Sequence, residues 1–255
     1  MLQEHNLNTL NIPWISIITV VYNGAKYLES TIQSVAKQEY PNIEYIVIDG
    51  GSTDGTIDIL RKHESKIAHW ISQSDEGIYD AMNKAWEIAR YDSYILFLGA
   101  GDRIITLPKP EELMKMGDAV IGSVLNGNFI TRSRVDWSAK LRITIHHQSL
   151  LIRKSVSPTP PFNIKYKICG DHDFNIRLIK QGIKFNFSDS LVAYAMPGGV
   201  SENLGFSEWG EIVKNHFGLH WMLASFTYYL LIKSRLNIIL RKLLPSLALN
   251  KYIDH

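Results

Sequence analysis

An α/β fold built on a mostly parallel sheet is predicted for this chain by three observations. Between residues 14 and 98, four apolar runs of strand length alternate with segments whose apolar residues recur at helical spacing. The runs are apolar and β-branched almost throughout, not on alternate positions, as strands covered on both faces are. Each run ends in Gly, Asp, Ser or Asn, on the edge where an open parallel sheet holds its ligands.

WISIITVV (14–21) is the first strand, and residues 25–38 follow with Leu28, Ile32 and Val35 at helical spacing. IEYIVID (43–49) is the second strand. TIDILRKHE (56–64) is a short helix preceded by Ser, Thr and Asp. IAHWIS (67–72) is the third strand, IYDAMNKAWEIAR (78–90) an amphipathic helix, and SYILFL (93–98) the fourth strand. Past Asp102 the rhythm changes. PKPEELMKM (108–116) predicts a short helix, AVIGSVL and GNFITRSRV two antiparallel strands, and HHQSLLIRK another strand before a Pro-rich loop at 157–161. DHDFNIRLIKQG (171–182) is a helix stopped by Gly182, and KFNFS and SLVAYAM are short strands. This half predicts a small antiparallel sheet and lid facing the mouth of the first.

The tail reads differently. FGLHWMLASFTYYLLIK (217–233) is apolar and aromatic, and SRLNIILRKLLPSLALNK (234–251) mixes Leu and Ile with Arg235, Arg241 and Lys242. The apolar run is shorter than a comfortable bilayer span and contains His220. Two readings stand: an interfacial helix on a membrane surface, or C-terminal helices that cover the sheet or join two copies as a homodimer.

Bulk properties exclude several classes. A length of 255 residues suits one large domain or a domain with an appendage. Hydrophobic content of 45% and charged content of 20% argue against wholesale disorder. A net charge of +2 gives no nucleic-acid signature. Cys169 is the single cysteine, which excludes internal disulfides and a multi-thiolate zinc site and fits a reducing compartment. MLQEHNLNTLNIPW lacks the basic start and apolar run of a secretory signal, so a cytoplasmic location is expected.

The strand ends carry the candidate chemistry: Thr19 to Gly24, Asp49 to Thr56, Ser74 to Gly77, and Gly99 to Asp102. Glycines there let a ligand approach the backbone, and a strand-tip Asp accepts from the donor groups of a base or ribose. Asp80 and Asn83 are three apart and share a helix face. Lys84 either reaches a phosphate or lies on a solvated face. Ser52, Thr53 or Asp54 caps the following helix, which leaves Asp54 outside the site. Asp171 stands at a helix start, where the dipole favours its anion.

Four segments carry a resemblance. ISIITVVYNGAKYLESTIQSVAKQ, YIVIDGGSTDGT, SDEGIYDAMNKAWEIA and YILFLGAGD occur in the order and spacing of family 2 glycosyltransferases with the GT-A fold. The chain resembles most the bacterial subgroup associated with O-antigen, capsule and other surface polysaccharides, over about residues 14–200. The likeness implies a Rossmann-like, mostly parallel central sheet flanked by helices. It also implies a nucleotide-diphosphate sugar donor, most often UDP-linked, with inversion at the anomeric carbon and a growing, lipid-linked glycan as acceptor. The implied division is a GT-A domain over 1–205, with a nucleotide-binding half at about 14–106 and an acceptor half at about 107–205. Residues 206–255 remain as a helical segment, through which the protein would sit on the inner face of the membrane if it meets lipid.

The resemblance assigns residues. Thr19 and Tyr22 fall at the nucleotide, the tyrosine ring against the base. Asn23, Asp49 and Gly51 fall at the same donor site, Asp49 reading the base, and many relatives have a second acid where this chain has Gly50. Asp80 and Asn83 face the donor sugar, and Lys84 its phosphates. Relatives carry D-x-D-D where this chain has Gly99-Ala100-Gly101-Asp102. Their third acid, a metal ligand, is Gly101 here. Asp102 is left to take Mg²⁺ or Mn²⁺ with donor phosphates and water, or to hold the sugar. CGDHDFNIRL resembles E-D-x-D-L-x-x-R, which puts Asp171 on the catalytic base, Asp173 on a structural acid and Gly170 in place of the Glu. His147 falls near the metal or donor phosphate. With acids missing at Gly50, Gly101 and Gly170, a non-catalytic nucleotide-sugar-binding protein stays open. So does a sugar nucleotidyltransferase, although TVVYNGAKY lacks the Gly-rich, Arg- and Lys-bearing loop with which those usually begin.

Overall fold

The computed structural model describes residues 11–198 and 206–233. Its first half is β1 (Trp14–Val21), α1 (Ala25–Ala36), β2 (Ile43–Asp49), α2 (Thr56–Lys62), β3 (His69–Ser72), α3 (Ile78–Ile88) and β4 (Ser93–Gly99). These strands lie in the order β3-β2-β1-β4, all parallel. Val21 pairs with Asp49 and Val20 with Gly99, so three strand ends finish at one level. That level is the floor of the site.

The uninterrupted apolar runs are explained by two cores, one on each face of the sheet. Ile15, Ile17 and Val21 of β1 pack with Leu28, Ile32 and Val35 of α1 and Leu60 of α2. Ile18 and Val20 pack on the other face with Met82, Ala85 and Trp86 of α3. Trp86 is 1% exposed and stacks on Phe97 with ring centroids 6.2 Å apart. Truncating such a ring to Ala costs about 3–5 kcal/mol.

The second half adds β5 (Arg103–Thr106), α4 (Pro110–Leu113), β6 (Ala119–Asn126), β7 (Phe129–Arg132), β8 (Leu150–Arg153), α5 (Gly170–Lys180) and β9 (Phe185–Tyr194). Its strands do not form a separate sheet. They continue the first one as β4-β8-β6-β9-β5, with β7 beside β6. The buried apolar edge of β4 requires a partner, and β8 supplies it through antiparallel pairs Tyr94–Arg153 and Ile95–Ile152. The expected antiparallel pair is β6 with β7, from Ser123–Arg132 to Asn126–Phe129.

KFNFS and SLVAYAM prove to be one strand, β9, whose register against β6 shifts between Ile121 and Ser123. Gly122 sits at that shift because a Cβ there would lie 2.0 Å from the Leu191 carbonyl oxygen. HHQ is a single 3₁₀ turn at His147–Ser149, not strand. The tail supplies α6 (Phe206–Phe217) and α7 (Leu219–Lys233). Trp209, Ile212 and Val213 of α6 close over Tyr166, Cys169 and Ile176, which ties the tail to α5. Among the described residues no helix is long and apolar enough to cross a membrane. The basic Leu- and Ile-rich stretch 234–251 lies outside the described residues.

Candidate functional site

A cavity of about 540 Å³ opens above the ends of β1 and β4, and both halves line it. Tyr22, Asp75 and Gly99 come from the first half, and His147, Gln148 and Asp171 from the second. Asp102 lies between them at 7% exposure. Four of the expected residues, Tyr22, Asp102, His147 and Asp171, therefore share one cavity.

Tyr22 is 68% exposed, an unusual state for a tyrosine at the end of a buried strand. Asp75 stands beside it. A Cβ added to Gly50 would lie 2.6 Å from Asp75 Oδ2 and 3.4 Å from Tyr22 Cδ2. Asp75 Oδ1 accepts from the Gly77 amide at 2.9 Å. The Asp75 carboxylate thus stands over Gly50, the position where the resemblance leads one to expect an acid.

At the opposite wall, Asp171 opens α5. Its Oδ2 meets His147 Nδ1 at 3.1 Å, and its Oδ1 accepts from the His172 amide at 2.9 Å. The Tyr79 hydroxyl lies 3.3 Å from that Oδ1 but gives its proton to the Ile168 carbonyl at 2.7 Å. Gly170 lies under the same ring, since a Cβ there would meet Tyr79 Cε2 at 2.8 Å.

Seven other expected donor-site residues, and Gly101, are not among those lining this cavity and meet neighbours within the protein. Thr19 is fully buried on the α1 side of the sheet, where its Oγ1 accepts from Tyr45 Oη at 3.1 Å. The pleat sends Val20 and Tyr22, not Thr19, to the cavity. Asp49 is also fully buried. It accepts from the amides of Gly51 at 3.1 Å and Ser52 at 3.0 Å, and from Ser72 Oγ at 2.7 Å and Ser52 Oγ. It shapes the loop that Gly51 turns at φ 85°. Asn23 accepts from the Thr53 amide at 2.9 Å and so joins the first two strand ends. Asp54 accepts from the Ala25 amide at 3.0 Å, at the start of α1.

Asp80 and Lys84 pair with each other at 2.8 Å, and Lys84 also donates to the Ser74 carbonyl at 3.2 Å. Asn83 clamps Phe162, donating to its carbonyl at 2.8 Å and accepting from its amide at 3.0 Å. Gly101 is turned at φ 107° beneath Met196, whose sulfur would be 2.7 Å from an added Cβ.

A sequence profile described as Glycosyl transferase family 2 matches residues 16–156. The chain belongs to that family. It is 33% identical over 178 residues to a Mycobacterium tuberculosis protein named PGL/p-HBAD biosynthesis glycosyltransferase, covering 65% of this chain and 69% of the relative. It is 39% identical over 94 residues to the putative teichuronic acid biosynthesis glycosyltransferase TuaG of Bacillus subtilis, 36% of this chain and 37% of that one.

Among solved structures, S. aureus TarS 1–349 in complex with UDP-GlcNAc superposes with a TM-score of 0.63 at 19% identity, covering 94% of this chain and 77% of that one. Against a longer TarS chain the likeness spans 44% of its length. The mannosyltransferase PcManGT from Pyrobaculum calidifontis, in complex with GDP-Man and Mn²⁺, gives 0.55 at 16% identity over 94% of this chain and 83% of that one. These structures share the GT-A fold with the present family 2 glycosyltransferase.

The glycosyltransferase holds its metal candidate in a restricted setting. Asp102 Oδ2 accepts from the Gly99 amide at 3.0 Å and Gln148 Nε2 at 3.2 Å, and Oδ1 accepts from the Met196 amide at 2.8 Å. Among the described residues no group of three or more His, Cys, Asp or Glu side chains is arranged to hold a metal ion. Both Asp102 oxygens already accept hydrogen bonds within the protein. Asp102 does not build a preformed cage.

Charge at the far wall is set by one pair. Burial opposes protonation of His147, but the hydrogen bond and charge of Asp171, with the charge of Asp102, raise it above its ordinary value of 6.5. Burial likewise pushes the Asp171 carboxyl up, and the hydrogen bond and charge of His147 overcome it and hold the group below 3.8. Sequence reasoning missed Asp75, Gln148 and Lys167, all of which line the cavity. The polar turn after β3 and the Gln after His147 were the available signals. Lys167 had none, because it lies in an irregular loop.

Proposed function

We propose that the protein is an inverting glycosyltransferase that moves a sugar from a nucleotide-diphosphate donor, a UDP-sugar, to a lipid-linked glycan in bacterial surface-polysaccharide synthesis. The observation that carries this reading is that Asp171, from the second half, lines one cavity together with Tyr22, Asp75 and Asp102. The names of the mycobacterial and Bacillus relatives support the setting, and the UDP-GlcNAc complex of TarS supports the donor. In this reading residues 14–106 hold the nucleotide, 107–205 the acceptor, and 206–255 are an appended segment.

The chemistry follows from the two walls. The base stacks on Tyr22, and Asp75 Oδ2 accepts from its imide N–H. The diphosphate lies towards Gly99–Asp102, where the backbone is close and His147 and Lys167 bring positive charge. A divalent ion bound through Asp102 would offset the diphosphate charge as it leaves. An acceptor hydroxyl entering beside Asp171 attacks the anomeric carbon from the face opposite the diphosphate, and Asp171 takes its proton. One bond forms, the glycosidic C–O, and one breaks, between the anomeric carbon and the β-phosphate oxygen. Attack from the opposite face inverts the centre.

A thermal-shift screen across nucleotides with and without Mn²⁺ tests the donor site, since ligand binding raises the melting temperature. UDP is expected to raise it, more so with the ion. A flat response to every nucleotide overturns the donor reading. Transfer by Asp171→Asn tests the base: a fall of about 10²–10⁴-fold is expected, and unchanged transfer removes Asp171 from the mechanism.

A further inference from the structure

A second depression, of about 1050 Å³, lies beside the donor cavity on the β6–β7–β9 side. Arg132, Arg134 and Arg142 line it with Ile130 and Phe187, and no carboxylate is among its lining residues. One peptide of the chain separates the two: His146 lines this groove and His147 the donor cavity. That peptide is fixed, because the His146 amide donates to Ser133 Oγ at 3.1 Å and Asn175 holds the preceding Ile145 carbonyl at 3.1 Å.

We propose that this groove binds the acceptor through a lipid diphosphate, the arginines gripping the phosphates and the apolar rim receiving the start of the lipid chain. The proposal rests on the reading of Asp171 as the base, since it brings the acceptor to that carboxylate. Guanidinium groups bind phosphate through paired N–H donors. The present partner of Arg132 is a weak competitor: it meets Asp189 at 2.7 Å with the two side chains 69% and 79% exposed, and exposed pairs of this kind contribute about 0–1 kcal/mol. Arg134 meets Asp136 at 3.2 Å in a half-buried pair.

The same stretch of chain exposes large apolar side chains. Phe129 is 74% exposed, Ile130 58%, Val135 40% and Trp137 65%. Of these, Ile130 and Val135 line the groove itself, and apolar side chains exposed at a groove mark an interaction site. An anionic glycan would satisfy the arginines and leave that rim in water. A lipid diphosphate satisfies both.

The test titrates farnesyl diphosphate, farnesol and inorganic pyrophosphate into the full chain saturated with UDP, so that the donor cavity is filled. Farnesyl diphosphate is expected to bind saturably and at least about tenfold more tightly than either fragment, with affinity falling as salt rises. The Arg132→Gln/Arg134→Gln double variant is expected to weaken it by about tenfold or more at an unchanged melting temperature. Arg132→Glu, altering an exposed side chain, is the companion variant should the double one lose its fold. Equal binding of farnesyl diphosphate by wild type and variants overturns the proposal. So does its failure to bind, or pyrophosphate binding as tightly, which would indicate a site for charge without lipid. Failure of UDP to raise the melting temperature is a different result: it overturns the donor reading, and the same titration without UDP still decides the groove.

Discussion

His147 Nδ1 and Asp171 Oδ2 stand 3.1 Å apart, one on the turn before β8 and the other at the start of α5. The pair joins two elements of the second half that line the cavity, so the charge of each side chain depends on that of the other.

That coupling gives a pH dependence of stability. His147 titrates above 6.5 in the folded protein, so its contribution is complete below the unfolded value and is lost as pH rises through the folded one. Asp171 titrates below 3.8, so its contribution is present above that value and is lost on acidification. The stability difference between wild type and His147→Gln is therefore expected to be largest near pH 5–6 and to shrink above the folded His147 value. Denaturant melts across pH measure it, and a difference that grows with pH contradicts the pairing.

Tyr22 tests the nucleotide wall. Removing a stacked aromatic loses about 1–3 kcal/mol per base. Tyr22→Ala is therefore expected to weaken UDP binding by about tenfold or more, and Tyr22→Phe to retain most of it. Equal affinities for wild type and Tyr22→Ala, read by calorimetry, would leave the ring with no part in donor binding.

Asn83 separates scaffold from site. Its amide makes two hydrogen bonds to the backbone of Phe162, which is 2% exposed. Asn83→Ala leaves those backbone groups short of partners at a cost of about 1–3 kcal/mol. A lowered melting temperature with an unaltered donor KM is the expected outcome. A raised KM at unchanged stability would return Asn83 to the donor site.

Gly101 tests whether an acid can simply be restored. At φ 107° and with Met196 Sδ 2.7 Å from an added Cβ, Gly101→Asp strains the backbone and displaces the methionine. A loss of about 1–3 kcal/mol is expected, with no gain in Mn²⁺ affinity. Tighter Mn²⁺ binding at full stability would show that the turn relaxes freely.

The parallel half was readable because β1, β2 and β4 are buried on both faces and its turns are polar, whereas β3 is a mostly exposed edge strand read from the alternation of strand and helix alone. WISIITVV and SYILFL admit no other element at that length. The second half was less so, since whether β8 begins a new sheet or extends the old one depends on the open edge of β4, a tertiary fact. Site residues divided the same way. Tyr22 and Asp171 follow from motif order, whereas Thr19 was lost to the pleat, which turns every second side chain to the far core. Asp80 and Asn83 do share a face, but each finds a partner within the protein. Asp75 was visible in SDEG, yet its place beside Gly50 and Tyr22 is a tertiary fact.

The three glycines standing where relatives carry acids are each covered by a neighbour: Gly50 by Asp75, Gly101 by Met196 and Gly170 by Tyr79. A side chain added at any of the three must first displace its neighbour: the Asp75 carboxylate and the Met196 thioether end flexible side chains that can swing away, whereas the Tyr79 ring is buried against Phe162 and has less room to yield.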